Sequence, residues 1–259
     1  LRHASDSIVP ICSEPCSSAV DVTDITPGSL NETGMASKIL WEFSHADMGY
    51  SYGRPLIAKT RRWGWVVILT SGYNNTSGKG ALFVLNAKTG ELLKGPIQTS
   101  AGSTTTPASL AQIEGYTESY ADYTLSYVYG GDLLGNLWRF DFSDATKDPE
   151  ALKIAELKTD DGSPQPITTA PTLGQINGKR VIFVNTGKYL ETSDLTTTQI
   201  QSQYAIKDDD ATSTLVNPRT TLVRQTLSNT STGTRTGTSN TVNFYTGRGW
   251  FFDFPDTGE

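Results

Sequence analysis

The sequence predicts an all-β chain built like a propeller, and three observations predict it. Gly (24) and Pro (12) are plentiful while Met and His occur only twice each, a composition of strands and turns. Short β-branched and aromatic runs are bounded by Gly, Asn and Asp, which is the pattern of hairpins. These runs return three times in one order, and hairpin sets repeating at about 40 to 50 residues form propeller blades. At 259 residues the chain can bury a full core in one domain.

Each round opens after a proline. Pro55 is followed by Leu56-Ile57-Ala58, the strand Trp65–Leu69, the strand Ala81–Leu85 and the turn Asn86–Gly90. Pro107 is followed by Ala108–Gln112, the strand Tyr127–Tyr129, a turn at Gly130-Gly131-Asp132 and the strand Asn136–Phe140. Pro171 is followed by Thr172–Gln175, the strand Arg180–Val184, an Asn185-Thr186-Gly187 turn and the strand Gln203–Ile206. A single blade cannot bury both its faces, so neighbouring blades are expected to stack around an axis.

The remaining segments carry weaker signals. No convincing helix is read anywhere; Lys147–Lys158 has loose helical spacing, but Pro149 and its brevity leave helix or strand open. Residues 1–39 read as an irregular N-terminal segment of the same domain, and Thr212–Val242 as a Ser/Thr-rich loop or polar hairpin insertion. The aromatic run Gly249–Phe254 is expected to resume a strand of another blade. Three blades with part-blades at both ends do not close a ring. With a start at Leu1 rather than Met, this reads as a segment of a longer, modified or incomplete propeller.

Composition and motifs exclude several functions. No run of 18 apolar residues spans a membrane. A formal charge of −6 argues against a nucleic-acid partner, which needs a basic face. Arg54, Lys59, Arg61 and Arg62 gather around one hairpin and read as a solvated turn. His3 and His45 are the only histidines, and there is no nucleophile elbow, P-loop or His-Glu-x-x-His, so no catalytic residue is assigned. Cys12 and Cys16 have the wrong spacing for a redox motif and too few companions for zinc. A short-loop disulfide in an oxidising compartment is expected, with two free thiols or pairing to cysteines outside this chain as the alternatives.

Several phrases, in order from about residue 20 to the end, resemble the C-terminal domain of PilC/PilY-type pilus proteins. They are Val20–Asp24, Leu40-Trp41-Glu42-Phe43 with Asp47–Tyr50, Ser71–Asn74, Tyr129–Asp141, Gln165–Pro171, Gly187–Leu190, Leu222–Gln225 and Gly247–Trp250. Tyr129–Asp141 is the most specific of them. The resemblance implies a β-propeller on the outside of a Gram-negative cell, at a type IV pilus tip or the outer-membrane surface. It also implies minor pilins and an N-terminal domain of the same protein as partners, roles in pilus assembly, extension and twitching motility, and adhesion to host or abiotic surfaces. Ala81–Gly90 also resembles the repeat of quinoprotein-type propellers. The alternative is thus an oxidoreductase, which would need a complete ring and a cofactor pocket. A propeller serving only as a spacer is a third reading.

In that family the loop before the most specific phrase commonly holds calcium, and the corresponding positions here are Glu118, Tyr120, Asp122 and Ser126. Calcium takes six to eight oxygens. Two carboxylates and one hydroxyl remain at these positions, so a weak site or an ordinary solvated loop is expected. Asp132, Asn136 and Asp141 read as structural, with Asp132 accepting backbone N–H bonds at its turn and Arg139 facing away from Trp138 and Phe140. Asp160-Asp161-Gly162 and Asp208-Asp209-Asp210 read as exposed turns without the closing Glu of a calcium-binding loop.

Overall fold

The computed structural model describes residues 15–23, 31–119, 121–210 and 212–257. β1 (Cys16–Val20) and β2 (Ile39–Ser44) pair antiparallel, with a short helix α1 (Glu32–Ala36) between them. Three meanders follow. The first consists of β3 (Leu56–Thr60), β4 (Gly64–Thr70), β5 (Ala81–Asn86) and β6 (Leu92–Gln98). The second consists of β7 (Leu110–Thr117), β8 (Leu125–Asp132), β9 (Asn136–Asp141) and β10 (Ala151–Glu156). The third runs through β11 (Thr172–Ile176), β12 (Lys179–Asn185) and β13 (Ser202–Asp208) and then leaves the sheet. That excursion carries a helical turn α2 (Pro218–Thr221), β14 (Val223–Arg224) and the hairpin of β15 (Leu227–Asn229) with β16 (Arg235–Gly237). The chain re-enters as β17 (Gly249–Asp253), antiparallel to β13, while β14 adds a parallel edge beside β17.

Alternation along the strands decides how the sheets stack. Successive side chains point to opposite faces, so one strand can serve two seams. In β4 and β5, Val66, Ile68, Leu82 and Val84 meet Leu110, Val128, Trp138 and Phe140 of the second meander. The intervening Val67, Leu69, Phe83 and Leu85 meet Trp41, Phe43 and Met48 on the other side. The second meander turns Tyr127, Tyr129 and Leu137 toward Ile182, Val184, Tyr204, Ile206 and Phe251 of the third. The far face of the third is covered by its own excursion, where Phe244 and Val242 close over Val181 and Ala205. At the inner edges β3 lies against β7, and β7 against β11. This is the blade-on-blade packing expected of a propeller.

Several details differ from the sequence reading. Lys147–Lys158 contains a strand, β10, because its backbone pairs with the free edge of β9 and pairing outweighs a helix-tolerant composition. Gly249–Phe254 does not start another blade: β17 is the fourth strand of the third meander, reached after the excursion. Counting β14, that sheet has five strands, one of them a parallel edge, an addition the repeat pattern does not announce. Residues 1–39 include a paired strand, β1, as well as α1. Short helical turns do occur, α1, α2 and a 3-10 turn at Thr192–Thr196. Gly130 and Gly131 sit inside β8, and the turn is Leu133-Leu134-Gly135. They are glycines because of close packing: a Cβ on Gly131 would stand 2.2 Å from Ile167 Cγ2. The pairing of Cys12 with Cys16 lies outside the described residues, because Cys12 is not among them.

Candidate functional site

Three polar knots hold the sheets and their loops in fixed relation. The first is the Asp132 turn. Asp132 Oδ1 accepts the backbone N–H groups of Leu134 and Asn136, each at 2.9 Å. Its Oδ2 accepts Asn136 Nδ2 at 2.9 Å and the indole N–H of Trp138 at 2.8 Å. Burial pushes the carboxyl pKa up, and these donors oppose that push. The expected structural role of Asp132 and Asn136 holds, while Asp141 accepts the N–H and hydroxyl of Ser143 at an exposed position.

The second knot fills the seam between the second and third meanders. Arg139 leaves β9 on the face opposite Trp138 and donates to Asp208 Oδ1 at 2.6 Å. Asp208 Oδ2 accepts the Tyr129 hydroxyl, also at 2.6 Å. Burial, with the Asp208 charge beside it, holds that hydroxyl well above the ordinary tyrosine value. Arg180 of β12 pairs with Asp210, and its guanidinium lies 4.2 Å from the centre of the Tyr127 ring. Asp208 is therefore not part of an exposed turn. It is buried between two arginines, while the Asp210 side chain remains 58% exposed.

This knot also takes up the first residue of the expected calcium loop. Glu118 Oε1 accepts from Arg180 Nη1 at 3.0 Å, so its charge is already matched by a cation of the protein. Asp122 is exposed and accepts the Thr124 backbone N–H at 3.1 Å. That bond, helped by the charges of Arg61 and Lys59, lowers its pKa. Ser126 belongs to β8 and is buried with its strand. Tyr120 lies outside the described residues. The structure thus gives Glu118, Asp122 and Ser126 three separate environments. Among the described residues, no group of three or more His, Cys, Asp or Glu side chains is arranged to hold a metal.

The third knot ties the excursion down. Arg219 of α2 makes a two-pronged pair with Asp253 of β17, at 2.9 and 2.6 Å, and reaches Asp160 through Nε at 2.6 Å. Arg224 of β14 reaches the other oxygen of Asp160 at 2.5 Å. These two arginines hold the Asp160 carboxyl down at about 2. Both guanidinium groups also cover the Phe251 ring. Ser202, Tyr204 and Gln165 continue the network inward: Gln165 Nε2 donates to Ser202 Oγ at 2.8 Å, and the Tyr204 hydroxyl donates to Gln165 Oε1 at 2.7 Å. Sequence reasoning missed Arg180, Asp208, Arg219 and Asp253, since each acts on a partner distant in the chain. One signal was available, a charged Arg139 alternating with large apolar residues on a strand.

Meanders stacked face to face, with buried polar and apolar seams between them, define a β-propeller scaffold. The chain belongs to the PilY1 β-propeller family: the model of the PilY1 beta-propeller domain matches residues 36–240. A type IV pilus biogenesis factor PilY1 homolog of Xylella fastidiosa (strain Temecula1) is 30% identical over 93% of this chain and 18% of its own length. The type IV pilus biogenesis factor PilY1 of Pseudomonas aeruginosa PAO1 is 29% identical over 93% of this chain and 24% of its own length. The crystal structure of the Pseudomonas aeruginosa PilY1 C-terminal domain superposes with a TM-score of 0.72 at 27% identity, over 84% of this chain and 53% of that one. The chain thus spans less than a quarter of the length of these two curated relatives. The pilus-protein resemblance read from the motifs holds, and the quinoprotein alternative is not favoured.

Proposed function

We propose that this domain is a non-catalytic part of a type IV pilus biogenesis factor, acting outside a Gram-negative cell at the pilus tip or outer-membrane surface. It supports pilus assembly and extension, and through them twitching motility and adhesion to host or abiotic surfaces. The observation that carries this reading is the family match across residues 36–240, which covers all of the first two meanders and most of the third. Two further features agree with it. Binding loops mounted on a rigid scaffold are the usual way such a fold engages partners, here minor pilins and the rest of its own polypeptide. Among the described residues, no helix is long and apolar enough to cross a membrane.

The test is genetic. The gene is deleted in its host and complemented with either the full-length version or one lacking residues 36–253. Surface pili are counted by electron microscopy, and twitching zones are measured. The reading expects the shortened version to be exported yet fail to restore both. Full restoration by an exported protein lacking this domain would sink it.

A further inference from the structure

A trough crosses one end of the stacked sheets, where loops of all three meanders converge. Two adjoining concavities of about 620 and 470 Å3 share Tyr50, Tyr52 and Asn74. Gly49, Ser51, Tyr73, Tyr189 and Leu190 are among the other lining residues, with Lys188 and Glu191 at one wall. We infer that this trough is a docking site for a non-acidic, protruding polypeptide segment of a protein partner.

Tyr, Ser, Gly and Asn make up half of the lining residues, beside apolar Met48, Leu133 and Leu190. They are the mixture that makes antibody loops bind proteins: rigid amphipathic rings beside small adaptable hydrogen-bonding groups. Tyrosine is also among the residues that most often dominate the energy of protein interfaces. Tyr50, Tyr52 and Tyr189 remain 52%, 67% and 76% exposed, whereas a small-molecule pocket encloses most of its ligand. An open row of aromatic rings fits a macromolecular surface better.

Lys188 at the trough wall bonds Glu191 at 2.7 Å and Asp194 at 3.1 Å, so it offers no unmatched positive charge. Two carboxylates, one of them the exposed Glu191, face this single lysine, so an acidic sugar or a phosphate finds no counter-charge here and a segment without acidic side chains matches. The trough is pre-organised, which spares a binding site the entropy of ordering its own loops. Tyr50 N–H donates to the Tyr73 carbonyl at 2.7 Å and Tyr73 N–H to the Tyr50 carbonyl at 3.1 Å. Gly72, at φ +67°, permits this approach, since a Cβ there would stand 2.1 Å from Tyr50 O. The Tyr50, Tyr52 and Tyr73 rings form a chain with centroids 6.2 and 6.0 Å apart.

Choosing a pilus subunit as the partner rests on the proposed function, so the test keeps the two apart. In the host, the full-length protein carries a benzophenone amino acid in place of Tyr52 or of Tyr189, and, as a comparison, in place of Trp65. Trp65 is exposed near the opposite end of β4. Living cells are irradiated and adducts identified by mass spectrometry. The expected result is an adduct with a type IV pilus subunit from positions 52 and 189, at least about tenfold above position 65. Tyr50→Ser, an exposed substitution whose folding is checked by circular dichroism, should reduce the adduct from position 189 by a similar factor. The inference is overturned by equal adducts from position 65, by adducts only within the same polypeptide, by a glycan adduct, or by none. If these results coincide with loss of pili on domain deletion, only the docking site is wrong and the pilus reading stands.

Discussion

Arg139 and Asp208 stand 69 residues apart in sequence and meet at 2.6 Å in the seam between the second and third meanders. Both are almost wholly removed from water, and Tyr129 supplies a further bond to the same carboxylate. The pair fastens one blade to the next, so its strength bears on whether the sheets unfold together.

Removing one partner leaves the other charge buried and unmatched, which typically costs about 3–5 kcal/mol. Asp208→Ala should therefore lower the urea midpoint strongly. Replacing Arg139→Met and Asp208→Leu together with Tyr129→Phe should recover much of that loss, since an apolar cluster avoids the desolvation cost and leaves no buried hydroxyl unpaired. Equilibrium unfolding of the three proteins checks this. A single substitution that leaves the midpoint unchanged would mean the seam is held by packing alone.

Asp132 fixes the turn of the most specific sequence motif. Asp132→Ala orphans the Trp138 indole N–H and two backbone N–H groups, and each unsatisfied buried donor costs about 1–3 kcal/mol. Asp132→Asn keeps one acceptor oxygen and should fall between wild type and the alanine variant. Near-ultraviolet circular dichroism should report the freed Trp138. Equal stability for the two variants would refute the hydrogen-bond account.

Asp160 predicts a pH effect. Its folded pKa of about 2 lies below the ordinary aspartate value of about 3.9. Its pairing therefore contributes stability that is complete above about pH 4 and is lost as the pH falls toward 2. The side chain is 65% exposed, so solvent screening keeps the effect small. Denaturation of wild type and Asp160→Asn should show a gap at pH 7 that closes by pH 2. A gap of constant size would contradict the assignment.

Calcium should bind no tighter than the millimolar range at the β7–β8 loop, the range of weak extracellular modules. Glu118 is engaged by Arg180, and Asp122 offers one exposed carboxylate. Asp122→Ala should change the melting temperature little in calcium-free buffer, since it removes one exposed hydrogen bond to the Thr124 N–H. A micromolar site in calorimetric titration, lost in Asp122→Ala, would show that the loop rearranges to form a cage.

Much of this was legible in the sequence. β4, β5, β8, β9, β12 and β13 are central strands whose β-branched and aromatic runs announce burial, and the backbone-accepting role of Asp132 could be read, although its turn falls at Leu133-Leu134-Gly135 rather than on Gly130 and Gly131. The edges were harder. β6 contains Gly95 and Pro96, which an edge strand tolerates and a sequence pattern does not reveal. β10 has the composition of a helix, and only the waiting edge of β9 makes it a strand. β17 was assigned to the wrong blade because an excursion of several tens of residues separates it from β13. Asp208 was misread because a run of three aspartates looks solvated, and nothing near it names Arg139 and Arg180 as its partners.

The most direct measurement of the central claim is to follow this domain in sheared pili. Cells expressing the full-length protein, detected with antibody to residues 36–253, are sheared, and the filaments are separated from cell bodies and cleared of membrane. A protein that works in pilus assembly at the cell exterior should appear in the filament fraction, with immunogold at filament ends, and should leave that fraction in a strain that makes no pili. Normal filaments without the domain, with all of it retained in the cell interior, would contradict the account.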